Sequence, residues 1–246
     1  MKNLDDYLSE HHQPKKVLVC MALFKMGELM VLLSGKAGGQ INSHNKGGTY
    51  LKNFAMPTNP RTIYQISQRN KFTTFSQQWR SLTNAQRLAW IAAAPTFAYV
   101  NAVGDVKYLS GSALFNKLNI NLAVIGMAPI LIPPVPSGVT AVTTIVPTYV
   151  AGVVTVAFTP TPVPVGSSWL LWATPGLSPG VYFVKNKLRL IGILPATIAS
   201  PDIITVLYTA RFGAAPVGTK VVFGLQPMNA VTGEMGLMLE ASTIVA

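Results

Sequence analysis

Lys46, Lys52, Arg61, Arg69, Lys71, Arg80 and Arg87 fall within residues 46–90, a stretch that contains no Asp or Glu. With Lys36 just upstream, they point to one kind of chemistry, the neutralisation of a negative partner. Lys and Arg neutralise phosphates by displacing condensed counterions. Tyr50, Tyr64 and Trp79, interleaved with them, could stack on bases. Helical spacing allows a second reading, in which the aromatics are packing core and the cations lie on faces that meet an acidic protein surface. A surface shaped only for solubility mixes both signs.

Other chemistries lack their residues. The eight carboxylates are scattered, and no pair has the spacing of a shared acid–base site. His11, His12 and His44 all precede the helical zone; neighbours such as His11 and His12 suit a helical metal face poorly, because ligands want i and i+4. Around "SGKAGG" a phosphate loop would need Ser or Thr after Lys36 and Gly five residues before Gly35. Ala37 and Met30 stand there. No G-x-S-x-G elbow occurs. Cys20 has Lys15 and Lys16 nearby but no positioned histidine, and as the single cysteine it excludes an internal disulfide. No enzymatic activity, metal or cofactor is expected.

The elements that must carry the cations differ along the chain. Residues 1–90 hold 12 Lys/Arg against 4 Asp/Glu, whereas 129–246 hold 5 against 3. Half of all residues are apolar and 11% are charged, which implies surface covered by other subunits. The run "KKVLVCMALFKMGELMVLL" has the flank of a secretory signal. Lys25 and Glu28 interrupt it, and it reads neither as a signal nor as a membrane span.

Residues 1–56 read as an extended, Gly-rich basic arm, with Gly35, Gly38, Gly39, Gly47 and Gly48 at its turns. Residues 57–128 read as a small helical region. Thr58 or Asn59 would cap a first helix, with Pro60 in its first turn and Ile63, Ile66, Phe72, Phe75 and Trp79 on one apolar face. Thr83 and Gln86 have capping-box spacing for a second helix, with Leu88, Ile91 and Ala92 inward and Pro95 as its stop. A third helix starts near 110–112, runs through Leu114, Phe115, Leu118, Leu122 and Ile125, and ends at Gly126. The segment "PILIPPVPSG", 129–138, reads as a stiff linker. Beyond it the period changes to two. Strands are predicted at 139–146, 153–159, 168–174, 181–185, 188–193, 203–211, 219–226 and 237–245, forming a β-sandwich over 139–246.

Residues 34–124 also resemble a family. The combination G-K-x-G-G, K-G-G-x-Y, P-x-N-P-x-T, Q-x-x-x-R and W-R-x-L-T-x-A-Q-R-x-A-W, followed by "LSGSALFNKLNINL", is similar to small proteins of tailed phages and prophages, especially those of Bacteroidetes. These are regarded as uncharacterised or virion-associated structural proteins. Lys52 departs from the pattern where Arg is expected, keeping the charge without the bidentate fork. "QWRSLTNAQRLAWIAAA" also resembles the later helices of a high-mobility-group box, although the zone before Trp79 is too short for a whole box. "WLLWATPGLSPG" and "TKVVFGLQPMNAVTGEMG" resemble strands of fibronectin type III and immunoglobulin-like domains.

The resulting expectation is an α+β multidomain chain with an immunoglobulin- or fibronectin-like C-terminal sandwich. The resemblance implies a non-enzymatic virion structural protein, capsid- or connector-associated, assembled in the host cytoplasm. Its partners would be other virion proteins and further copies of itself, with DNA as the alternative partner and no membrane.

Overall fold

The computed structural model of the chain describes residues 21–24, 34–45, 48–54, 59–101 and 103–246. Cys20, His11, His12, Lys46 and Thr58 lie outside these. The described residues up to Ile63 group with Ala98–Tyr108 as one compact unit, and Tyr64–Phe97 group with Leu109–Ala246 as a second. The helices thus share a unit with the β-rich region. Each unit is built from its own local signals.

In the first unit the chain expected as an extended arm is indeed extended, but it is paired. Strands β1 (Met21–Phe24), β2 (Gly35–Ala37), β3 (Gln40–Asn45) and β4 (Gly48–Asn53) form an antiparallel sheet in the order β1-β4-β3-β2. Gly38, at φ +57, supplies the backbone that a two-residue turn between β2 and β3 requires. Gly38 and Gly39 therefore turn the chain between two paired strands. A second hairpin pairs β5 (Tyr99–Val100) with β6 (Val106–Lys107).

In the second unit, helix α1 (Ile63–Ser81) begins three residues after Pro60, later than expected. Its anticipated single apolar face is divided. From Ile66 to Phe72 is six residues, a rotation of roughly 240°, so Ile63 and Ile66 point away from Phe75 and Trp79. Phe75 is buried, whereas Ile63 is 82% and Phe72 56% exposed. Helix α2 (Asn84–Ala93) starts as its spacing predicts. Thr83 Oγ1 accepts from the Gln86 amide, and Gln86 Oε1 accepts from the Thr83 amide at 2.9 Å. Its inward residue is Trp90, fully buried, while Leu88, Ile91 and Ala92 face out. A 3-10 turn, Ala94–Phe97, follows at Pro95. Helix α3 (Gly111–Val124) is capped by Ser110 and buries Leu114, Phe115, Leu118 and Leu122; Gly126 follows it at φ +75.

Trp90 meets Phe115 edge-on at 5.3 Å, and Trp79 meets the same ring at 5.6 Å. The segment 129–138 forms neither helix nor strand, as its prolines require. It is tied down on both sides. The Trp90 indole donates to Leu131 O at 2.9 Å. The buried Asn119 accepts from Ile130 N at 2.7 Å and donates to Ile130 O. Further on, Ser137 N donates to Glu234 Oε2.

Two antiparallel sheets follow. One has the order β11-β8-β7, from β7 (Thr144–Val150), β8 (Val153–Thr159) and β11 (Asp202–Ile203). The other has the order β10-β9-β12-β13, from β9 (Ser167–Ala173), β10 (Arg189–Leu194), β12 (Lys220–Asn229) and β13 (Leu239–Ile244). Tyr149, Val154, Val156 and Phe158 of the first sheet share one core with Trp169, Leu171, Phe223 and Leu225 of the second. Ala246 exchanges backbone bonds with Tyr149 and Ala151, joining the end of β13 to β7.

Two predicted strands are absent. Residues 203–211 are mostly helix α4 (Thr205–Phe212), which packs on β8 and β10. Its β-branched composition suggested a strand, but Ile204, Tyr208 and Phe212 recur at four-residue intervals and turn toward the core. Residues 181–184 form no regular element and 185–187 form a turn, with Val184 and Leu188 buried. At the β12–β13 connection, Asn229 Oδ1 accepts from Val231 N and Thr232 N, and Asn121 Nδ2 donates to Gly233 O at 2.8 Å. No helix among the described residues is long and apolar enough to cross a membrane.

Two outcomes follow. Thr83→Ala should lower stability by about 1 kcal/mol and Thr83→Ser by much less, read from chemical denaturation midpoints. Tyr208 donates to Thr174 O at 3.2 Å, and burial, then the neighbouring Tyr149, push its pKa from 10.0 up to about 12. Above pH 10 the unfolded chain loses this proton while the folded chain keeps it, so stability should fall as pH rises through 10 to 12. Tyr208→Phe should flatten that part of the pH–stability curve.

Candidate interaction surface

The strand register of the first unit brings two of the sequence-predicted cations together. Ile41 is the cross-strand partner of both Lys36 and Lys52. Directly opposed residues of an antiparallel ladder share a face, so the three side chains form one row across β2, β3 and β4. Tyr50, two residues before Lys52, lies on the same face. Lys36 Nζ sits 4.5 Å from the centre of the Phe54 ring, and Lys52 Nζ 6.0 Å from that of Tyr50. Both ammonium groups are thus within range of a ring quadrupole. Arg61 is exposed just before α1, at φ +49.

Arg69, Lys71, Arg80 and Arg87 belong to the second unit. Arg69 and Arg80 are eleven residues apart on α1, which sets them within roughly 20° of each other around the helix, whereas Lys71 lies about 200° away from Arg69. Arg69 and Arg80 are exposed and Lys71 half-buried. Arg80 borders a groove of about 190 Å³ lined by Phe72, Thr73, Ser76 and Gln77. Arg87, on α2, is half-buried, and its Nε is buried without a hydrogen-bond partner. The structure therefore gathers Lys36 with Lys52, and Arg69 with Arg80.

The candidate stacking residues separate as well. Trp79 is helical core against Phe115. Tyr64 is 63% exposed, and one side of its ring is covered by the Arg211 guanidinium at 4.0 Å. Among the described residues no group of three or more His, Cys, Asp or Glu side chains could hold a metal ion.

Sequence reasoning missed two features. Ile63, Ile66, Phe72, Leu88 and Ile91 are exposed apolar residues on α1 and α2; burial, rather than periodicity, identifies them. The second is an open groove of about 490 Å³ at one end of the sheets, between the β8–β9 and β12–β13 turns, lined by Ser137, Val165, Ser167, Asn229 and Thr232. No protein-family model matches the chain, and no curated protein matches it.

The exposed apolar residues and the helical core should separate on substitution. Phe72→Gln and Leu88→Gln should each change stability by no more than about 0.5 kcal/mol. Trp90→Ala should cost about 3–5 kcal/mol. Thermal and denaturant unfolding of the three variants would make the comparison.

Proposed function

We propose that the protein is a non-enzymatic structural component of a tailed-phage particle, assembled in the host cytoplasm and docked on a capsid or connector protein. The observation that carries this reading is the character of α1 and α2. Ile66 and Phe72 remain exposed on either side of Arg69 around α1, and Leu88 and Ile91 are exposed on α2, a mixture of apolar area and one-signed charge that suits a shaped, acidic protein socket. In this reading the β-rich region is an immunoglobulin- or fibronectin type III-like sandwich. Its support is the strand order, β7, β8 and β11 in one sheet and β10, β9, β12 and β13 in the other, over a common core. The sandwich would mediate contacts between copies of the chain or display a surface.

A second reading, binding to nucleic acid, draws on the row of Lys36 and Lys52 with Tyr50 and Phe54. One set of variants distinguishes the two. Changing Arg69 and Arg80 to Gln should remove the protein from purified particles, scored by mass spectrometry. Wild-type affinity for DNA near physiological salt should be weak. Tight DNA binding that falls steeply with salt and is lost on changing Lys36 and Lys52 to Gln would favour the second reading.

A further inference from the structure

The end of the sheets opposite the 490 Å³ groove is assembled from four chain segments. The β7–β8 turn passes through Ala151 and Gly152, both at positive φ. Ala151 N donates to Ala246 O. Val245 N donates to Thr219 O, and Gly218 N to Val245 O, which sets the α4–β12 loop beside the end of β13. Lys220 forms a bridge with Leu177, which anchors the long β9–β10 loop. That loop is held from below. Leu177, Val184 and Leu188 are buried, and the Arg189 guanidinium donates to Asn186 O and Leu188 O.

What these segments hold up to solvent is apolar. Val150, Val153, Val217 and Ile244 are exposed large side chains, and Tyr182 and Phe183 are 88% and 69% exposed. Such exposure makes the two rings a protruding tip. Cations accompany them. Lys185 is exposed, Lys187 is half-buried, and Lys220 donates to Val181 O and lies 5.4 Å from the Tyr182 ring. No Asp or Glu occurs between residues 106 and 201 or from 203 to 233, so the turns 150–153, 177–189 and 213–220 carry no acidic side chain.

We propose that this end of the β-rich region is a docking surface for an anionic lipid bilayer. Aromatic rings at a convex tip enter the headgroup layer, where one side of each ring can remain wet. Lysines set behind the tip meet the negative surface potential. A strand of nucleic acid would want a groove to run along, which two adjacent exposed rings on a loop do not offer. Adsorption of this kind needs no crossing helix. The expectation of no membrane partner was drawn from the absence of a spanning segment and does not extend to these turns.

The test uses the full chain and sedimentation with vesicles of phosphatidylcholine alone, or of phosphatidylcholine mixed with phosphatidylglycerol. Wild type should bind the anionic vesicles and not the neutral ones, and added salt should weaken binding. Lys185→Gln and Lys187→Gln should each lower the affinity about fivefold, the factor that corresponds to ~1 kcal/mol per cation. The double change Tyr182→Ser and Phe183→Ser should abolish binding with unchanged thermal unfolding. In Phe183→Trp the added indole emission should shift to shorter wavelength on anionic vesicles. Arg69→Gln with Arg80→Gln should leave vesicle binding as it is. Absence of binding, equal binding to both vesicle types, or vesicle binding that survives the Tyr182/Phe183 change would overturn the proposal. So would single-stranded DNA binding that those variants lose while anionic vesicles are ignored.

Discussion

A backbone segment rich in proline cannot satisfy its own polar groups, and the second unit is organised around that constraint. Residues 129–138 include Pro129, Pro133, Pro134 and Pro136, which lack the N–H that a helix or ladder needs. The groups left over at Ile130 and Leu131 are taken by two side chains, Asn119 and Trp90. Both are fully buried, where an unpaired amide or indole would be costly. Trp90 can occupy that place because Thr83 starts α2 at the right residue, and Asn119 because Ser110 starts α3. The caps, the aromatic cluster and the course of the proline segment are therefore one arrangement.

Helix α3 carries the arrangement onward. Two residues after Asn119, Asn121 reaches Gly233 O in the β12–β13 connection. Gly233 lies so close that a Cβ there would stand 2.5 Å from Leu118 O, and its φ is +76. Both facts call for glycine. The "N-x-x-T-G" turn thus does more than reverse the chain: Asn229 folds it, and Gly233 lets the helix lie against it.

Much of this was legible locally. Strand β8 has the predicted bounds, and the Thr83–Gln86 box is a two-residue signature whose chemistry depends only on its neighbours. Legibility failed where tertiary context decides. Residues 203–211 are rich in β-branched side chains, yet α4 forms because Ile204, Tyr208 and Phe212 pack on sheets that the local window does not contain. The division of α1 was readable in principle, since the six-residue step from Ile66 to Phe72 reverses the face. The cations were legible by type, and their grouping was not. Lys36 and Lys52 meet only through a β3 register that the arm reading had no reason to include. The turn carrying Tyr182 and Phe183 was hidden inside a predicted strand, although Pro179-Gly180 before it and Lys-x-Lys after it mark an exposed reversal.

The placement of the tryptophans makes the second unit report on itself optically. Trp79 and Trp90 belong to the helical core, and Trp169 and Trp172 to β9. Trp90 is sealed from water but its indole N–H is bonded to a carbonyl, whereas the equally sealed Trp169 N–H has no partner. An indole that makes no hydrogen bond in an apolar site emits at shorter wavelength than one that does. The two cores thus hold their sealed tryptophans in different surroundings, one indole hydrogen-bonded and the other not, so loss of either core should alter the emission differently.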